Sequence, residues 1–256
     1  MLVIVVTIGG GGSVAFGFST GVARGLLDEG IDISAATLVG TSGGSHAAFT
    51  MAAGMGFDDV EPIWREYVAT AGRIWVKAAP LTEQLYGKIE VSGVAGVAVR
   101  ILGFRRKLLW APDVRPADAV AASSSPFPFA RPHKIGKRRY IDGGHRSGTS
   151  ADLVPAADLQ LVLAAFSNRA QGFLGKIGAR QVARETRKWR EATGSDTVVI
   201  GPTPEMCAIR VKGMRALGDM DIGRQFFDLA VPLGREYASI LRRDHPGVVA
   251  RLPARS

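Results

Sequence analysis

Cysteine is almost absent. Cys207 stands alone among 256 residues, which excludes an intramolecular disulfide and a cysteine-rich zinc site. Long apolar runs are missing too: nothing approaches the roughly 18 uninterrupted residues that a membrane-spanning helix needs. The opening "MLVIVVTIGGGG" has no basic region before it and no small-residue cleavage pattern. It therefore reads as a core strand and not as a signal peptide. Neither a zinc finger nor an aromatic RNA-binding signature is present, so no nucleic-acid partner is expected. Internal repeats, low-complexity segments and obvious linkers are lacking, which leaves one domain over residues 1–256. The expectation is a soluble cytoplasmic protein that needs neither metal nor cofactor.

Other features are abundant. Hydrophobic residues make up 46% of the chain, enough for a large core and too many for a disordered segment. The 32 glycines signal tight turns and close backbone approaches. A formal charge of +9 favours contact with polyanions, whether nucleic acid or an anionic membrane face. The alternative is an ordinary basic surface.

Apolar patterning orders the chain. Met1 to Ile8 is β-branched and apolar, a buried strand. Gly9 to Gly12 is a loop, Phe16 to Glu29 a helix that stops at Gly30. A short strand, Ala36 to Val39, precedes a helix over Ser42 to Ala53. Strand, helix, strand, helix is a parallel α/β beginning. Asp58 to Thr70 is a further helix with Val60, Ile63, Trp64 and Val68 on one face. The stretch from Trp75 to Trp110 resists assignment. His133 to Gly144 resembles a hairpin closed around Gly136. Leu159 to Phe166 and Thr197 to Pro202 are buried strands with a charged helix between them. A helix over Asp221 to Leu241 packs on the sheet.

Three short motifs carry chemistry. Gly40-Thr41-Ser42-Gly43-Gly44 is a G-x-S-x-G pattern set between a strand and a helix. Its glycines permit the strained turn of a nucleophile elbow, and the helix directs its first N–H groups at any anion formed there. The alternative for Ser42 is a helix N-cap. Gly9 to Gly12 follows the first strand and can present N–H groups to an oxyanion or a phosphate. Dinucleotide binding fits poorly, because Ala15 stands where G-x-G-x-x-G needs its last glycine, and Val39 and Gly40 replace an acidic ribose ligand. Asp142, followed by Gly143 and Gly144, is a strand-end carboxylate that can approach another backbone closely; the alternative is a surface turn. His46 lies one helical turn beyond Ser42; the candidates are a base or a helix-surface histidine, and it reads as the latter.

Taken together and in this order, these motifs resemble those of the patatin-like phospholipases. The likeness covers residues 1–60 and 120–170 well and the rest loosely, including "GVARGLLDEGIDISAATLVGTSGG" and "ASSSPFPFARPHKIGKRRYIDGGHRSGTSADL". The resemblance implies a three-layer α/β/α fold with a mostly parallel central sheet. It also implies a Ser-Asp dyad without histidine that cleaves lipid or other carboxylic esters through an acyl-enzyme. Carried over, Ser42 is the nucleophile and Asp142 the base. Gly10, Gly11 and Gly12, together with Gly43, form the oxyanion hole, while Gly40, Gly44, Gly143 and Gly144 are motif glycines. An acyltransferase would share the same intermediate.

One departure stands out. Where the family loop carries a basic residue and a glycine, this chain has the uncharged Ser13-Val14-Ala15-Phe16. That motivates a second reading, a catalytically impaired lipid- or membrane-binding protein on the same fold. A third reading is an α/β-hydrolase-type triad using His245, which fits less well because only two strands precede the elbow. For peripheral contact with an anionic membrane, "RILGFRRKLLW" combines Arg100, Arg105, Arg106 and Lys107 with Leu108, Leu109 and Trp110. The alternative there is a half-buried helix with a basic face.

Overall fold

In a computed structural model, residues 2–71, 78–211 and 213–252 are described. Among the described residues the strands are β1 (Leu2–Ile8), β2 (Thr37–Thr41), β3 (Val94–Arg100), β4 (Arg105–Trp110), β5 (His133–Ile135), β6 (Arg138–Asp142), β7 (Ala157–Leu163) and β8 (Asp196–Ile200). They form one sheet. The β1–β2, β1–β7, β2–β3 and β7–β8 pairs are parallel, while β4 and β6 run antiparallel to β3 and β5 antiparallel to β6. The parallel strands read as continuous Val, Ile and Leu because both of their faces are covered.

The helices are α1 (Gly12–Asp28), α2 (Gly43–Ala52), α3 (Phe57–Ala71), α4 (Ala78–Tyr86), α5 (Pro116–Ser123), α6 (Gly172–Thr193), α7 (Pro204–Ala208), α8 (Gly213–Ala216), α9 (Met220–Asp244) and α10 (Pro246–Val249). One face of the sheet, with Ile4, Val6, Ile8, Leu38, Leu159 and Leu161, joins the larger core beneath α1, α2 and α9. The opposite face, with Val5, Val39, Val97 and Val162, is covered by Trp189 and Val182 of α6 and by the chain around Ala151 to Val154. The result is a three-layer α/β/α arrangement whose second helical layer is thin. Helix α1 packs most extensively on α9. Gly17, Gly21 and Gly25 form a stripe there, and a methyl group at Gly17 would come within 1.9 Å of the Gly223 carbonyl. Among the described residues, no helix is long and apolar enough to cross a membrane.

Most expected elements form, with shifted ends. Helix α1 begins at Gly12, four residues before its apolar periodicity starts, because Ser13 to Phe16 are already packed inside. From Ala78 on, the stretch that resisted assignment folds as α4 followed by the antiparallel β3–β4 hairpin, while residues 75–77 lie outside the described residues. "RILGFRRKLLW" is therefore the end, tip and return strand of that hairpin, and not a helix. Leu109 is buried, and Leu108 and Trp110 pack on the second core, so these three are not free for a lipid surface. Arg106 is also committed, paired with Asp152 at 2.8 Å. Ile101, Leu102 and Phe104 are exposed instead, at the tip.

Candidate active site

Ser42 and Asp142 are a hundred residues apart in sequence and meet through sheet register. Strand β2 pairs with the first half of β3, from Leu38 opposite Val94 to Thr41 opposite Val97. Strand β6 returns beside the second half, from Asp142 opposite Ala98 to Tyr140 opposite Arg100. Strand β4 lines the other edge of β3 from Ala95 to Arg100. Consequently β2 and β6 share one edge and point their ends at each other, with Thr41 and Asp142 at adjacent positions. Ser42 follows Thr41, and Gly143 follows Asp142. A methyl group at Gly143 would lie 2.4 Å from the Val97 carbonyl and 3.1 Å from the Thr41 side chain, so only glycine allows this junction.

Ser42 adopts φ 52° and ψ −124°, a positive φ that a residue with a side chain accepts only when its surroundings impose it. The imposing contacts are visible. The Ser42 N–H donates to Ser123 Oγ at 3.0 Å, and its carbonyl accepts from Ser45 Oγ at 2.7 Å and Ser124 Oγ at 3.2 Å. Gly40 and Gly44 let the elbow fold tightly: Gly44 sits against the Ile8 and Gly9 carbonyls, and Gly40 against Gly44 itself. The cap alternative is not realised, since Ser42 precedes α2 without a side-chain cap bond.

Ser42 and Asp142 instead line the same cavity. Asp142 is buried, and its Oδ1 accepts from the Gly144 N–H at 2.7 Å. Burial raises its pKa from the ordinary 3.8 to about 6, against the opposing pull of Ser42, Gly144 and nearby His145. The environment thus holds a carboxylate close to neutrality, where it can exchange a proton at physiological pH.

The glycine loop lies against the elbow. A methyl group at Gly43 would fall 2.1 Å from the Gly12 carbonyl oxygen, and one at Gly12 only 1.8 Å from the Leu217 carbonyl oxygen. Gly10 departs from expectation. Its N–H donates to the Gly148 carbonyl at 2.7 Å, so it is not free to meet an oxyanion. Among the described residues, no such bond engages the N–H groups of Gly11, Gly12 and Gly43, at the starts of α1 and α2. The uncharged departure after the loop has a packing explanation. Ser13 donates from its N–H to the Leu217 carbonyl and from Oγ to the Asp219 carbonyl, both at 2.7 Å. Val14, Ala15 and Phe16 are fully buried, so a charge in this stretch would be desolvated without a partner.

These groups open on a cavity of about 390 Å³, whose lining includes Trp64, Leu81, Phe127, Phe129 and Leu217. Such a volume and apolar wall suit a hydrocarbon-bearing ligand. His46 also reaches the cavity but is not on the helix surface as expected. It is buried, its Nδ1 lies 3.2 Å from the Tyr86 hydroxyl, and desolvation lowers its pKa to about 3. His245 lies outside the site. It caps the far end of α9, whose near end at Asp219 is tied to Ser13. A helix of 25 residues separates the two ends by about 37 Å at 1.5 Å per residue. Sequence reasoning did not single out Ser123, Ser124, Gly148 or Leu217. The serines fall inside the quoted "ASSSPFPF", but nothing in the sequence signals Leu217. Among the described residues, no group of three or more His, Cys, Asp or Glu could hold a metal ion.

Comparison with known proteins adds little. No family model matches the chain, and no curated protein matches it. Among solved structures, it is similar to VipD from Legionella pneumophila at 13% identity and a TM-score of 0.41, over 88% of this chain and 66% of that one.

Proposed function

We propose that this protein is a serine acyl hydrolase that cleaves lipid or other carboxylic esters through a Ser-Asp dyad and an acyl-enzyme. The observation that carries this reading is the meeting of the β2 and β6 ends, which sets Ser42, at a strained elbow, and the buried Asp142 in the lining of one cavity. The family resemblance of the three ordered motifs agrees with it.

The chemistry follows from the groups present. Ser42 Oγ attacks the ester carbonyl carbon while Asp142 accepts its proton. The carbonyl oxygen becomes an oxyanion beside the N–H groups of Gly11, Gly12 and Gly43, where the start of α2 adds favourable dipole. Collapse breaks the C–O bond, and Asp142 returns the proton to the departing alcohol. Water then attacks the acyl-enzyme, with Asp142 again taking the proton; the bond from the acyl carbon to Ser42 Oγ breaks, Asp142 returns the proton to Oγ, and the carboxylic acid leaves. An alcohol in place of water would give acyl transfer. The packing of Ser13 to Phe16 supports this reading over a catalytically impaired one, since the uncharged stretch is a buried part of the fold and, among the described residues, no backbone carbonyl outside the helices engages the three N–H groups.

A peripheral contact with an anionic membrane extends the proposal. Leu102 is 80% exposed at the β3–β4 tip, flanked by Arg100 and Arg105, and Phe104 lies beneath the Arg146 guanidinium. His145, next to Arg146, lines the cavity, as do the exposed Phe127 and Phe129.

A panel of acyl esters tests the hydrolase. Wild type is expected to turn over at least one, and Ser42→Ala none. Equal turnover by both proteins would remove the proposal.

A further inference from the structure

Behind the glycine loop lies a second cavity of about 260 Å³. It shares Gly10, Gly11, Gly144, Gly148 and Leu217 with the larger one. Four of these five have no side chain, so little separates the two lobes. Phe166 forms the back wall, with its ring so close to Gly11 that a methyl group there would fall within 2.3 Å of it. Ala164, Ala165, Ile177 and Val182 complete an apolar lining.

The polar side chains of this lobe are already engaged. Gln181 accepts from the Gly148 N–H at 3.0 Å and donates to the Arg146 carbonyl at 3.2 Å. Thr149 Oγ1 donates to Glu185 at 2.8 Å. No polar side chain remains to recruit a polar ligand, and the apolar surface is left to select. The apolar lining also continues outward. Ile177 is 45% exposed at the rim, and Phe173, one helical turn earlier on α6, is 76% exposed.

We infer that this lobe is a second hydrocarbon subsite, so that the preferred substrate is an ester carrying hydrocarbon chains on both sides of its carbonyl. The acyl chain occupies the Trp64–Phe129 cavity and the alcohol's chain the Phe166–Ile177 lobe. Ile177 is the specificity-determining residue. The inference rests on the hydrolase reading, and the test separates the two.

Butyl pentanoate and methyl pentanoate present the same acyl group with a long or a short second arm. Wild type is expected to favour the butyl ester by about tenfold in kcat/KM, a modest return on three added methylenes. Ile177→Trp fills the lobe from an exposed position, where the fold tolerates it, and a melting curve checks this. That variant is expected to erase the preference and leave the methyl ester within about twofold. Equal loss on both esters, or no loss on either, would overturn the subsite.

Dibutyl ketone, a non-hydrolysable mimic of butyl pentanoate, provides the second readout with Ser42→Ala protein. Its binding should weaken about fivefold when Ile177→Trp is added, while methyl butyl ketone should bind unchanged. That outcome without turnover of any ester would keep the subsite and remove the hydrolase. Turnover without discrimination would do the reverse.

Discussion

Replacing Asp142 by asparagine should abolish activity and stabilise the fold, and the size of the second effect follows from burial. The carboxyl titrates near 6 in the folded protein against an ordinary 3.8. A raised acid pKa means that the folded state holds the proton more tightly than the unfolded state does. This contribution to stability is therefore fully present below pH 3.8 and is lost as the pH rises to about 6. Two pKa units at 1.36 kcal/mol each amount to about 3 kcal/mol above pH 7. Asparagine keeps an oxygen to accept from the Gly144 N–H and carries no charge to desolvate. Its advantage over wild type should grow from about 0.5 kcal/mol at pH 4 to about 3 kcal/mol at pH 8. For a chain of this size that corresponds to a melting temperature higher by about 6–12 °C at pH 8. Thermal unfolding of both proteins at the two pH values reads the difference, and amide packing cancels because it does not titrate. An Asn advantage that is absent at pH 8, or equal at both pH values, would refute the reasoning.

Four further outcomes are expected. The kcat/KM of wild type should rise through pH about 6 and level above it, because the proposed mechanism needs Asp142 ionised to accept the Ser42 proton; a profile flat from pH 5 to 8 would contradict this. Gly43→Ala should reduce kcat by about 10²-fold or more, since the methyl group meets the Gly12 carbonyl at 2.1 Å and displaces oxyanion donors; steady-state kinetics decides. His245→Ala should leave kcat/KM within about twofold, as expected for a residue one 25-residue helix away from the glycine loop and outside the reacting groups. Leu102→Asp combined with Phe104→Asp should reduce co-sedimentation with anionic vesicles without changing hydrolysis of a short soluble ester; undiminished vesicle binding would remove the hairpin tip as the membrane contact.

The site was legible in the sequence where local conformation carries chemistry. G-x-S-x-G between a strand and a helix specifies an elbow, and Ser42 has the positive φ that such a turn demands. The buried strands and amphipathic helices were legible through periodicity, because burial on one face or on both leaves a pattern in every window. Register was not. Nothing local states that β2 and β6 share an edge of β3, yet that pairing is what brings Asp142 to Ser42. Nor could the sequence reveal that the Gly10 N–H is taken by the Gly148 carbonyl, 138 positions away. The β3–β4 hairpin was obscured because its return strand mixes three consecutive basic residues, one of them committed to a partly buried ion pair, with core-facing Leu109.

The most direct test of the Ser42 assignment is rapid-quench peptide mapping during hydrolysis of a slowly turned-over acyl ester. The expected result is an added acyl mass on the peptide carrying Ser42 in wild type and none in Ser42→Ala, which should also lose turnover. Turnover by wild type with no covalent adduct, or full activity in Ser42→Ala, would contradict it.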